Sequence, residues 1–182
     1  MSDHKLLEKL IDDIVEALRK RDRLVFDEEY DHPLGPPSSP QQMARLERIL
    51  GKPLPPSYRA FQELHNGWDK LVGGAKLLAV EDHDSQWVKS KIKFWSDLWD
   101  PDENGDDPFE KGAMPILFGE DNNSFLVLDP TTVQPNGEMD FVMYDYMEEE
   151  ERFKDFTSFL RKKLKLLEEM IDDEEKGVPD EE

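Results

Sequence analysis

The stretch PLPPSYRAFQELHNGW, residues 53–68, holds a helix start, a buried stripe and a stop in one short run. Pro55 and Pro56 suit a first helical turn, where the missing N–H has no partner to lose and φ is already helical. Tyr58, Phe61 and Leu64 follow at three-residue steps, which places them on one buried side. Asn66-Gly67 then supplies the residues that most readily adopt the left-handed backbone of a helix stop. His65 falls in the last turn, where the helix dipole favours a cation. With no nucleophile or ligand partner beside it in sequence, it reads as a capping or packing histidine.

Working outward, the same grammar recurs. Ser39 reads as an N-cap with Pro40 at the first helical position; Met43, Leu46, Ile49 and Leu50 line one face, and Gly51 stops the helix. Before it, DHPLGPPSSP (31–40) is rich in proline and excludes regular structure, so it is expected to be a linker loop or hinge. Residues 1–30 form an N-terminal helix and extension. There Leu6, Leu7, Leu10, Ile11, Ile14 and Leu18 mark an amphipathic helix, with Ser2 or Asp3 as its cap.

Downstream, AKLLAV after Gly73-Gly74 is a short strand candidate, and residues 83–99 carry a broad apolar stripe at helical spacing. The texture then changes. MPILFG (114–119), SFLVLD (124–129) and DFVMYDY (140–146) are strands separated by turn-rich segments, which predicts an antiparallel meander. A last amphipathic helix, capped by Asp155, carries Phe156, Phe159, Leu160, Leu164, Leu167 and Ile171, and residues 172–182 are expected to be a disordered acidic tail. The order of elements predicts an α+β domain over 41–171, a central antiparallel sheet packed by helices.

The 182 residues carry 43 acids against 23 bases, a formal net charge of −20. Direct binding to nucleic acid would work against that charge, whereas basic proteins are attracted and their encounter is accelerated. The absence of cysteine excludes disulfide and thiolate chemistry. Acids interrupt every apolar cluster of the N-terminal segment, and no stretch reaches membrane-spanning length, so a cytoplasmic protein is expected.

Enzyme templates fail. LVGGAK lacks the spacing of a phosphate-binding loop, no serine sits in a Gly-x-Ser-x-Gly elbow, and His4, His32, His65 and His83 lack metal-ligand spacing. Acid pairs are too numerous for any two to be singled out as acid and base. Asp100, Asp102, Asn104 and Gly105 match the first half of an EF-hand calcium loop. The second half fails, with Lys111 where the bidentate glutamate belongs and Asp107 at the apolar position. The remaining readings of 100–111 are a plain acidic surface loop or a docking surface for a basic partner. A second acidic run, YDYMEEEER (144–152), reads as a solvated helix start, with an adhesive edge as the alternative.

Taken together, LPPSYRAFQELHNGW, MPILFGEDNNSFLVLDP and GEMDFVMYDYMEEEERFKDFTSFLRKKL resemble the SUKH superfamily, in its Smi–Knr branch. Pro56, Tyr58, Phe61, Asn66 and Gly67 match the first block, with Ser57 where an acid is common; Pro115, Phe118, Gly119, Asn122, Phe125 and Asp129 match the strand–turn–strand segment. The resemblance implies an α+β fold, no catalytic activity and no cofactor. It further implies a role as a bacterial immunity protein that binds a toxin, often a nuclease, or as a regulatory interaction hub. The expected interface is Trp95, Trp99, Asp100, Asp102, Glu103, Asp106 and Asp107, with Tyr146, Glu148, Glu149, Glu150 and Glu151 as a second patch. The rival readings are a scaffolding module of the same fold and, last, a calcium-binding or enzymatic protein.

Overall fold

The computed structural model describes residues 3–177. In chain order it contains α1 (Asp3–Phe26), α2 (Pro40–Leu50), α3 (Pro56–Leu64), β1 (Lys76–Leu77), α4 (Gln86–Leu98) and α5 (Pro101–Asn104). β2 (Met114–Phe118), β3 (Ser124–Leu128), β4 (Phe141–Asp145), β5 (Glu148–Phe153) and α6 (Phe156–Lys176) complete it. The strands form one five-stranded antiparallel sheet in the order β1-β2-β3-β4-β5. The fold is α+β, with amphipathic helices at both ends.

Both faces of the sheet are covered, which is why β2 and β3 read as continuous apolar runs. Leu126, Leu128, Phe141, Met143 and Phe153 face a core shared with α1, α3 and α6. The alternate residues Phe125, Val127 and Val142, with Phe118, face a second core made with α4. Period-two alternation sends successive side chains of one strand into different cores.

The helices start as their caps dictate. Ser39 accepts from the Gln42 N–H at 3.2 Å while the Gln42 side chain accepts from the Ser39 N–H at 2.7 Å, a reciprocal capping box. Gly51 ends α2 in the left-handed region, and the Asp155 carboxylate accepts from the Ser158 N–H at 2.6 Å. At α1, Ser2 lies outside the described residues and Asp3 is already helical. Its stripe of Leu7, Ile11, Ile14 and Leu18 is buried in the same core as Phe61, Phe156 and Leu160.

The Pro-rich loop is pinned rather than hinged. Gly35 N–H donates to Gly67 O, Ser38 N–H to Gln62 O, Asn66 N–H to Pro36 O and Asp69 N–H to Pro33 O, all within 3.1 Å. A Cβ at Gly35 would lie 2.0 Å from Asn66 O, so only glycine allows that approach.

Four elements depart from expectation. α3 stops at Leu64 with His65 extended, and only Gly67 has positive φ. Asn66 instead turns its side chain to the next segment, accepting from Val80 N–H at 2.8 Å and donating to Glu81 at 2.9 Å. The AKLLAV strand shrinks to two residues because Val80–Asp84 winds into a 3-10 turn.

The acidic run 148–153 is a strand, not a helix start. Tyr146 and Met147 both adopt positive φ, which reverses the chain tightly and returns it alongside β4. Finally, α6 continues through Lys176, ending at left-handed Gly177. Buried Ile171, the Lys176–Asp172 pair and a Lys20–Glu175 bridge at 2.7 Å hold the turns expected to be disordered. Residues 178–182 of that expected tail lie outside the described residues.

Candidate interaction surface

The α4–α5 region was the first expected interface, and the structure divides its residues. Ser85 caps α4 by accepting from Val88 N–H at 3.1 Å. Val88, Ile92, Trp95 and Trp99 then follow at four-, three- and four-residue steps and turn inward. Trp95 is 2% exposed, with its ring 4.8 Å from Phe125; Trp99 is 9% exposed, packs on Tyr144 and donates its Nε1–H to Gly105 O at 2.8 Å. Neither is an exposed anchor, which corrects the expectation. Their rings hold the helix to the sheet.

The exposed large apolar side chains of α4 are Trp87, Phe94 and Leu98, each between 40% and 50% exposed. Together with Lys91 they form a stripe beside the inward one. Sequence reasoning merged the two stripes into one broad face. The lysine in the middle of the second was the signal that this stripe meets solvent.

Of the acids, Asp100, Asp102, Glu103 and Asp106 are exposed, and Asp106 pairs with Lys111. Asp107 is 7% exposed, and its carboxylate accepts from Phe109 N–H at 2.8 Å, so it does not belong to the surface. Asp100 accepts from Asp102 N–H at 2.9 Å as the cap of α5. The Asp100 carboxylate, the first ligand expected of a calcium loop, is thereby turned to a backbone donor. Among the described residues no three His, Asp or Glu side chains are grouped to hold a metal ion.

The second patch lies on β5 and the turn before it. Tyr146 is 66% exposed, and Glu148, Glu149 and Glu150 are exposed, whereas Glu151 pairs with Lys162 on α6 at 3.3 Å. Arg152 fixes the strand. It bridges Glu149 at 2.8 Å and the buried Asp140 at 3.2 Å, and reaches Asp129 at 3.4 Å. The hydrogen bonds to Glu149 and then Asp140 hold its guanidinium above the ordinary arginine value. At Asp129, burial raises the carboxyl, but Thr131 and Arg152 outweigh that and hold it below the ordinary carboxylate value.

The four histidines have local structural surroundings. Asp22 meets His32 Nε2 at 2.7 Å, and His32 Nδ1 donates to Lys70 O at 2.6 Å. His65 Nδ1 donates to Gly35 O at 3.0 Å, and His4 lies 2.7 Å from Glu63. His83 is pushed down to about 4 by burial.

Glu138 was not singled out in the sequence, yet it binds three elements together. It accepts from Ser57 N–H at 2.8 Å and Ser57 Oγ–H at 2.7 Å, while Ser57 Oγ accepts from Phe156 N–H at 2.9 Å. One carboxylate from the loop before β4 thereby helps cap both α3 and α6, at helix starts where negative charge is favoured. Burial raises the Glu138 carboxyl above its ordinary value, against the lowering effect of the Ser57 bonds.

Among the described residues no helix is long and apolar enough to cross a membrane. No curated protein matches the chain. A family model described as the SMI1 / KNR4 family (SUKH-1) matches residues 37–162, most of the chain and every strand of the sheet. That match supports a general role in toxin immunity or regulatory protein interaction. With its meander sheet covered on both faces and the Tyr58–Phe61 helix at its core, this chain belongs to the SMI1 / KNR4 family (SUKH-1).

Proposed function

We propose that this protein is a non-catalytic immunity protein of the cytoplasm, which captures a basic toxin domain, specifically a nuclease, through its acidic surface. The observation that carries the reading is the pairing of charge with exposed apolar side chains at α4–α5. Exposed Asp100, Asp102, Glu103 and Asp106 follow exposed Phe94 and Leu98 in the chain, on a molecule of net charge −20. A nuclease presents positive charge to phosphate, so an acidic inhibitor competes for the same field and is steered to it. The apolar side chains supply the desolvated contact that charge alone lacks.

The buried aromatics keep a part in this reading. Trp99 anchors the loop that carries the acids through its bond to Gly105, so it positions the surface without touching the partner. The test is the affinity for a basic nuclease domain encoded beside this gene, measured across a salt series together with its nuclease activity. Affinity is expected to fall steeply with salt, and the nuclease to be inhibited at stoichiometric ratio. A salt-independent affinity, or a bound nuclease that still cleaves, overturns the reading.

A further inference from the structure

The two edges of the sheet end differently. At β1, Trp68 N–H donates to Leu77 O at 3.0 Å, Leu77 N–H returns the bond to Trp68 O at 2.9 Å, and Leu34 bridges Trp68 in turn. That edge is closed by the chain itself. At the other end, the six residues of β5 pair with β4 and, among the described residues, with no other backbone segment. An edge strand turns part of its N–H and C=O groups outward, where they are a template for another strand.

What fits that template is constrained by its side chains. A second copy of β5 is a poor occupant, since pairing would bring two runs of four consecutive acids, Glu148 to Glu151, side by side. The register shifts between Met143 and Tyr144, leaving Glu150 as an extra residue on β5. Such a bulge adds local twist and rejects the long flat strand of another sheet. A short extended segment escapes both objections if it carries cations. Glu148 and Glu150 are exposed and in no ion pair among the described residues, while Glu149 and Glu151 are tied to Arg152 and Lys162 and keep the strand in place. Exposed Tyr146 stands at the turn that opens onto this edge.

We propose that the outer edge of β5 takes up a short, extended, Lys/Arg-rich segment of the partner as a sixth strand of the sheet. Main-chain hydrogen bonds supply the pairing, and cross-strand contacts to Glu148 and Glu150 select the basic sequence. The inference rests on the partner being a basic protein and adds the mode by which one piece of it is held.

The experiment is amide hydrogen exchange on the full chain with a short peptide alternating Lys and Val. Controls are the same peptide N-methylated at alternate positions and a Glu-Val peptide. The Lys-Val peptide is expected to slow exchange in β5 by about tenfold or more, with the N-methylated and acidic peptides without effect. The E148K/E150K variant, which leaves the Arg152 network intact, is expected to weaken binding about tenfold. Three results overturn the proposal: equal binding of the N-methylated peptide, binding with β5 exchange unchanged, or no binding of the Lys-Val peptide. In each case the basic toxin domain is then assayed on the same sample. If it still binds in a salt-dependent way, the immunity reading survives and only the strand mode falls.

Discussion

The two faces of the sheet are built to different plans. One is covered by α1, α3 and α6, and its core draws on residues as distant in sequence as Ile14, Phe61, Leu126 and Phe159. Its polar ties are equally long in range, such as the Glu138–Ser57–Phe156 chain and the Lys20–Glu175 bridge. The other face is covered by α4 alone, with α5 following, and apart from Lys91, which reaches Gly119 O and Asn122, its polar ties are local: Trp99 to Gly105, Asp100 to Asp102, Asp107 to Phe109. Exposed Phe94 and Leu98 and the exposed acids Asp100, Asp102 and Glu103 lie on the outer side of this second layer. The difference suggests a division of labour: the first layer carries most of the long-range packing, and the second carries the proposed interaction surface.

The comparison breaks most directly at Phe156. It is fully buried against Tyr58, Phe61, Phe141 and Phe159, so F156A removes the hub of the first layer. Chemical denaturation is expected to show a loss of about 3–5 kcal/mol.

The next effect lies at the seam. The 3-10 turn Val80–Asp84 carries His83, and Val80 at its start belongs to the first core while neighbouring Leu78 belongs to the second. The His83 pKa falls from its ordinary value near 6.5 to about 4 on folding. The folded state therefore binds fewer protons than the unfolded one between those values. Its contribution is fully present above pH 6.5 and is lost as pH falls towards 4, an effect on the order of 3 kcal/mol. In H83Q that part of the pH dependence of the denaturation midpoint should vanish.

In the second layer, W99F loses the bond to Gly105 and some volume. The expected cost is about 1–2 kcal/mol, with faster amide exchange through 100–107. Should W99F prove as damaging as F156A, the division between the layers fails. The smallest stability effect is expected for F94S and for D102N/E103Q, each within about 0.5 kcal/mol of the parent by the same denaturation assay. Each should nonetheless weaken binding of the basic toxin domain, F94S by slowing release less effectively and D102N/E103Q by slowing association.

How far the fold was legible follows from where its information lies. Caps are local chemistry, so Ser39-Pro40, Gly51 and Asp155 named their helix ends without knowledge of anything distant. The meander was readable because β2, β3 and β4 are apolar runs punctuated by turns. β5 was not: Glu148–Phe153 lacks the apolar alternation of a strand, since an edge strand meets solvent and its pairing comes from β4. The turn that forms it uses Tyr146 and Met147 at positive φ, where glycine or asparagine is the usual signal. The exposure of the proposed interface residues was half legible. Charge and exposure of Asp102, Glu103 and Asp106 followed from composition, but the burial of Trp95, Trp99 and Asp107 did not, because hydrophobic spacing cannot say which of two adjacent stripes meets the sheet.

The sequence by itself determined the class of fold, the helix boundaries that depend on caps, and the −20 charge on which the proposal of a basic partner rests. These are properties of single residues and near neighbours. Only the tertiary structure decided that α1 joins the core, that Glu138 helps cap two helices at once, and that one sheet edge is closed while the other, among the described residues, stays open. Each of those depends on groups far apart in the chain reaching within hydrogen-bond or van der Waals range, and no local pattern carries that distance.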